Sequence, residues 1–232
     1  MTADSTDGRI CILFDIDGTL IDSGGAGATS WRLAFDELYG IPADIGKFTD
    51  TGMTDPDVGA KTFEAVLGRK PNRAEFVKLM ERRTYYLHKT VAESEHYRVL
   101  DGVEELLEKL LDDGYLLGVV TGNVEAAAHI KLHRANLNRF FSFGGYGSDS
   151  IDRGELTRIA VRRGCLVYGE ELSTRQCLVV GDTPRDAEAA HEADVACVGV
   201  ASHHYNVQQL RDGGADWVIR SLEEGLPPEA LA

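Results

Sequence analysis

Several short stretches of the chain are apolar at nearly every position instead of at every second one: Ile10–Phe14, Leu116–Thr121, Cys177–Gly181 and Val195–Val200. A strand with one face in water alternates apolar and polar residues, whereas a strand of a parallel sheet is covered on both faces and reads as a continuous apolar run. Shorter candidates lie near Phe141–Phe143 and at Asp216–Ile219. Between these runs, Gly102–Gly114, Asn123–Asn136, Arg153–Gly164 and Thr183–Ala193 carry helical spacing. Strand and helix in repetition require right-handed crossovers, so the expected fold is α/β with a doubly wound, mostly parallel sheet.

Residues 24–97 break that rhythm. "TSWRLAFDELYG", "DPDVGAKTFEAVLG" and "NRAEFVKLMERRTYYLHKTVAESE" are amphipathic helical segments with no strand among them. The pattern predicts an all-helical insertion after the first strand, entered through the glycines of Gly24–Gly27 and left near "RVLDG". Residues 1–22 and 98–232 would form the α/β core, and 23–97 a cap. Trp31, Phe35 and Leu38 have the spacing of a cap core.

Composition excludes several classes of function. A chain of 232 residues with 43% hydrophobic and 27% charged residues can bury a sizeable core. Its apolar runs are far short of the roughly 20 residues that span a bilayer, and "MTADSTDGR" lacks the pattern of a secretory signal. A cytoplasmic location is expected. The formal charge of −14 argues against nucleic acid, which needs a basic surface. Cys11, Cys165, Cys177 and Cys197 show no CxxC spacing and read as small hydrophobes in a reducing compartment.

The chemistry gathers at the ends of the apolar runs. In an open parallel sheet, ligands bind beyond the carboxyl ends of the strands, where strand order reverses. Asp15 and Asp17 close the first run, with Gly18 at the bend. Thr121-Gly122-Asn123 closes the second, just before a helix, and offers a hydroxyl and backbone N–H groups for an anion. "CLVVGDTPRDA" closes the third with Asp182, and Asp186 follows four residues on. Two carboxylates about 5 Å apart repel by about 3 kcal/mol at an effective dielectric of about 20, and a phosphate would add to this. A compensating cation is implied, and Mg²⁺ suits a site of oxygen ligands that bridges carboxylates to phosphate.

"DIDGT" (Asp15–Thr19), "TGN" (Thr121–Asn123) and "GDTPRDA" (Gly181–Ala187) resemble, in order and spacing, motifs one, two and four of the haloacid dehalogenase superfamily. The resemblance covers nearly the whole chain and extends to the place of a helical cap, as in the phosphoglycolate phosphatase-like branch. It implies that Asp15 is the nucleophile of an aspartyl-phosphate and that Asp17 serves as general acid and then base. Thr121, with Gly122 and Asn123, would bind phosphoryl oxygens. Mg²⁺ would be held by Asp15, the Asp17 backbone carbonyl and Asp182, with Asp186 nearby.

The family's third motif normally supplies a lysine, yet no lysine follows Lys131 in this chain. Arg153, at the start of a predicted helix, is expected to take that place, because an arginine can clamp an oxyanion with two parallel hydrogen bonds; Arg158 is the next choice. "TGMTDPDV" (Thr51–Val58) looks like a cap segment of the branch, so Thr54 is expected to bind substrate, and Asp55 to matter. Asp22 and Thr183 read as helix caps and Arg185 as structural. His129 and His133 read as a solvated face, and His203-His204 as a surface loop. The implied activity is Mg²⁺-dependent hydrolysis of a small phosphate monoester, phosphoglycolate being one candidate. A sugar phosphomutase of the same branch and a non-catalytic regulatory module are alternatives; a dehalogenase proper does not need Asp17, Asp182 and Asp186. The expected partner is a small phosphorylated metabolite, with no nucleic acid or membrane, acting on a monomer or weak homodimer.

Overall fold

Every residue of Cys11–Phe14 is buried, and this stretch forms β1, the strand on which the sheet is assembled. The computed structural model describes residues 10–169, 171–202 and 204–232; His203 lies outside them. After β1 come β2 (Ile21–Asp22), α1 (Ala26–Tyr39), α2 (Asp55–Leu67), α3 (Arg73–Glu93) and β3 (Arg98–Val99). The chain continues through α4 (Val103–Asp112), β4 (Leu116–Thr121), α5 (Glu125–Arg134), β5 (Phe143–Tyr146) and α6 (Arg153–Tyr168). It ends with β6 (Cys177–Gly181), α7 (Pro184–Glu192), β7 (Ala196–Val200), α8 (Val207–Asp212), β8 (Trp217–Ile219) and α9 (Pro228–Leu231).

Six strands form a parallel sheet in the order β5-β4-β1-β6-β7-β8. The uniform apolarity of β1 has a direct cause. Ile12 and Phe14 pack on one face with Leu107 and Leu132, whereas Cys11 and Leu13 pack on the other with Leu156 and Ala190. The chain moves outward from β1 through β4 and β5, then returns to the opposite side of β1 for β6, β7 and β8. Strand order therefore reverses beside β1, and the carboxyl ends of β4, β1 and β6 border one crevice.

One strand is displaced from its expected place. The aromatic cue at Phe141–Phe143 marks the approach to β5, but the paired residues are Phe143–Tyr146, matched to Gly118–Thr121 of β4. Glycine is a poor strand former unless another backbone comes close. Here a Cβ on Gly145 would lie 2.1 Å from the carbonyl oxygen of Leu156, so α6 packs directly on the strand.

Helices α1 to α3 occupy the insertion and build an apolar cluster of their own around Trp31, Phe35, Val58, Phe63 and Leu79. Asn72 and Glu75 cap α3 reciprocally, through bonds of 3.0 and 2.9 Å to each other's backbone N–H. The two ends of the insertion are joined by β2 and β3, an antiparallel pair with Ile21 opposite Val99 and Asp22 opposite Arg98. Asp22 is not a helix cap: its carboxylate accepts from the Gly24 N–H at 2.8 Å, and α1 starts beyond Gly25. The C-terminal segment joins the core through Leu226 and through Ala230 of α9, both buried. No described helix is long and apolar enough to cross a membrane.

Candidate active site

Asp15 follows β1 directly, and its N–H continues the ladder to Val180 of β6 at 2.9 Å. The chain then turns sharply. Gly18 has φ of 84°, and a Cβ there would lie 2.1 Å from an Asp182 carboxylate oxygen. Any side chain at that position would therefore meet both backbone strain and a direct clash. The turn brings the end of β1 against the end of β6. Asp15, Asp182 and Asp186 each present a carboxylate oxygen within 4.8 Å of the others, and all three are buried. This is the arrangement expected from the sequence for Asp15, Asp182 and Asp186.

The electrostatics of this group follow from burial. Loss of water and the charge of Asp186 push Asp15 up to about 8, against the opposing pull of Arg153. Burial, then the charges of Asp186 and Asp15, push Asp182 up to about 9. One Asp182 oxygen, Oδ2, is buried without a hydrogen-bond partner among the described residues. Asp186 is more fully engaged: Oδ2 accepts from the N–H and hydroxyl of Thr183, at 3.0 and 2.8 Å, and Oδ1 pairs with Arg153. Thr183 thus stands at the start of α7, tied to Asp186, as expected of a cap. A buried, partly unpartnered set of hard oxygen donors fits a divalent cation, with Asp15 and Asp182 offering the freer oxygens.

Arg153 opens α6 and reaches the same place. Its guanidinium pairs with Asp186, lies 4.0 Å from Asp15 Oδ1, and donates at 2.8 Å to the carbonyl of Gly52 in the insertion. One residue therefore links the carboxylates to the loop before α2. Arg158 instead bonds to Glu155 and to the carbonyl of Glu192 on the surface.

The Asp17 side chain does not join the three carboxylates. It accepts from Lys131 Nζ at 2.6 Å and from Asn123 Nδ2 at 2.7 Å. Burial would raise its pKa, but the Lys131 charge and these two bonds outweigh that effect and hold it below the usual carboxylate range. Lys131 also donates to Asn123 Oδ1 at 2.7 Å, and Asn123 donates to the Thr121 hydroxyl at 2.8 Å, so the four side chains form one chain of bonds. Lys131 is 4% exposed on α5, in a stripe with Ala127, Ala128 and Leu132. Sequence reasoning noted this lysine only as the last in the chain and missed its role; a lysine placed in the apolar stripe of a helix was the available signal.

A cavity of about 200 Å³ lies between the sheet and the insertion, lined by Asp15, Asp17, Thr121, Gly122, Asn123, Lys131 and Arg153 from below. Trp31, Met53, Asp55 and Arg83 are among the residues that line it from above. Thr54 is buried at the start of α2 and packs against Gly122, and its neighbours Met53 and Asp55 line the cavity. Asp55 fastens the insertion to the second strand end: its N–H donates to the carbonyl of Gly122 at 2.7 Å, and its Oδ2 accepts from the Val124 N–H at 2.9 Å. His129 and His133 are exposed, as expected.

Residues 12–200 match the family of haloacid dehalogenase-like hydrolases, and the chain belongs to that family. Among curated relatives, a phosphoglycolate phosphatase of Aquifex aeolicus is 31% identical over 187 residues, which are 78% of this chain and 80% of that protein. A phosphoglycolate phosphatase of Haemophilus influenzae is 29% identical over 214 residues, 89% of this chain and 92% of the other. Among solved structures, a hydrolase from Pseudomonas syringae superposes with a TM-score of 0.74 at 24% identity, covering 97% of this chain and 100% of that one, which shows the shared fold.

Proposed function

We propose that this haloacid dehalogenase-type phosphatase hydrolyses a small phosphate monoester through a phosphoryl group carried on Asp15, with phosphoglycolate the leading candidate substrate. The observation that carries the reading is the cluster of three buried carboxylates, Asp15, Asp182 and Asp186, of which Asp15 lines a small cavity together with Arg153. The names of the two curated relatives support the choice of ester. So does the cavity volume of about 200 Å³, below the range of pockets that take drug-sized ligands.

In this proposal the negative charge of the entering phosphate ester raises the Asp17 pKa and lets it take up a proton from water; Asp15 attacks phosphorus in line with the ester oxygen, the P–O bond to the leaving group breaks, and Asp17 passes that proton to the departing oxygen. Thr121 and Arg153 hold the equatorial oxygens where negative charge accumulates. Asp17, now a carboxylate beside Lys131, accepts a proton from water as the water attacks phosphorus. Inorganic phosphate leaves and Asp15 is restored. A divalent cation, Mg²⁺ by the hardness of its ligands, would be held by Asp15, the backbone carbonyl of Asp17 and Asp182, with Asp186 in support. When bound it would offset the mutual repulsion of carboxylates and phosphate.

The division into a core, 1–22 and 98–232, and a cap, 23–97, belongs to the same proposal, supported by the separate apolar cluster of the insertion and by the β2–β3 pair at its base. A cytoplasmic setting is supported by four cysteines that form no disulfide. The test is phosphate release from a panel of phosphorylated metabolites with Mg²⁺, with and without a sugar bisphosphate. Turnover lost in Asp15→Asn and on chelation is expected. Turnover that survives either, or that requires the bisphosphate, would overturn hydrolysis by this route.

A further inference from the structure

Arg83 stands on α3 in the buried stripe with Leu79 and Leu87, and is itself only 1% exposed. An arginine there must be held by partners. One is plain: its Nη2 donates to Asp55 Oδ1 at 2.9 Å. The guanidinium also lies 5.3 Å from the centre of the Trp31 ring, which gives it a flat apolar floor. Its Nε and Nη1 are nevertheless buried without a hydrogen-bond partner, and the residue lines the cavity that holds Asp15 and Asp17. Buried donors in folded proteins are almost always satisfied. Asp55 does not supply what is missing: its Oδ1 meets only Nη2 of the guanidinium, and its Oδ2 accepts from the Val124 N–H.

We propose that Arg83 is the specificity-determining residue of this site and binds a carboxylate at the end of the substrate remote from the phosphoryl group. The inference rests on the phosphatase reading and names the substrate class: short phosphate esters of hydroxy acids. A carboxylate has only acceptors and makes its strongest hydrogen bonds to a guanidinium. A second phosphate fits less well, because Arg83 already shares its charge with Asp55 and a dianion would bring more unbalanced charge into a buried site than a carboxylate does. A neutral hydroxyl would make weaker bonds to the same donors, since hydrogen bonds between ionised groups are about twice as strong as those between neutral ones.

The experiment compares phosphoglycolate with 2-hydroxyethyl phosphate, which replaces the carboxylate by a hydroxymethyl group, in the wild type, Arg83→Gln and Arg83→Lys. The Gln variant should lose about ten- to hundredfold in kcat/KM on phosphoglycolate, chiefly through KM, and change little on the neutral ester. Equal losses on both esters would assign Arg83 to structure alone, and no loss on either would remove it from the site; both results overturn the proposal. Should Arg83→Gln fail to fold, Arg83→Lys keeps a cation for Asp55 while losing the guanidinium donors, and a weakened preference for the carboxylate ester is expected.

Calorimetric binding of phosphonoacetate and 2-hydroxyethylphosphonate makes the inference independent of turnover. A wild-type preference of about tenfold or more for the carboxylate, lost in the variants, supports the subsite even if no ester is hydrolysed. That outcome would sink the phosphatase reading instead. Equal affinity for the two phosphonates would sink the subsite.

Discussion

Lys131→Met removes an ammonium from the site while keeping an unbranched side chain of similar length, and its effect can be worked from the structure. Lys131 does not touch the carboxylate group of Asp15, Asp182 and Asp186; it acts through Asp17, at 2.6 Å, and Asn123, at 2.7 Å. A hydrogen bond to a charged partner contributes about 1.5–3 kcal/mol net. The Asp17 side chain keeps 40% of its surface open to the cavity, so water can partly replace the lysine. The lower part of that range, about 1.5–2 kcal/mol, is therefore expected, a ten- to thirtyfold fall in kcat. Loss of the ammonium also lets the Asp17 pKa rise, so the limb of the pH–rate profile that Asp17 governs should move to higher pH. The assay is kcat against pH with a saturating phosphate ester, on protein shown by thermal unfolding to be folded. A kcat within threefold of wild type and an unmoved limb would refute the idea that Lys131 sets the state of Asp17.

Arg153→Ala should lower kcat by about a hundredfold or more, since a group facing developing negative charge contributes about 3 kcal/mol; a change under fivefold, measured at saturating substrate and Mg²⁺, would remove it from the chemical step. Metal-free protein should lose stability as pH rises. Asp15 and Asp182, pushed up to about 8 and about 9, keep protons in the folded state that the unfolded chain has released above about pH 4. Their contribution is complete below that pH and is lost as pH climbs through 8 to 9, at about 1.4 kcal/mol per pH unit for each extra proton held. Thermal unfolding in chelator between pH 5 and 9 should show the decline, and Mg²⁺ should reverse it at the alkaline end; a flat profile indifferent to Mg²⁺ would contradict the assignment. Gly18→Ala should impair folding and turnover together, because the new methyl meets both the positive φ and Asp182; an unchanged melting temperature would show that the turn relaxes freely.

The parts of the fold that the sequence displayed are those in which local pattern and tertiary demand agree. β1, β4 and β6 are apolar at almost every position because helices cover both faces, and the polar residues at their ends, acidic after β1 and β6, stand out against that background. Where the two demands conflict, the sequence misleads. β5 contains Gly144 and Gly145, which weaken a strand signal, and Gly145 is needed for the approach of α6. β2 and β3, two residues each, are too short for any period to show. Lys131 and Arg83 are charged residues in apolar helical stripes, and position within the stripe, more than residue type, carried their meaning. The segment around Thr54 was legible as part of the site, but which of its adjacent residues lines the cavity was not, because neighbours at the start of a helix point in different directions; Met53 and Asp55 line it.

The central claim, that Asp15 carries the phosphoryl group, is tested most directly by trapping it. Enzyme quenched during turnover and reduced with borohydride should yield a peptide in which residue 15 has become homoserine, detected by mass spectrometry and absent without substrate. A wild-type enzyme that turns over while residue 15 stays aspartate, or a trapped group on another side chain, would contradict the account.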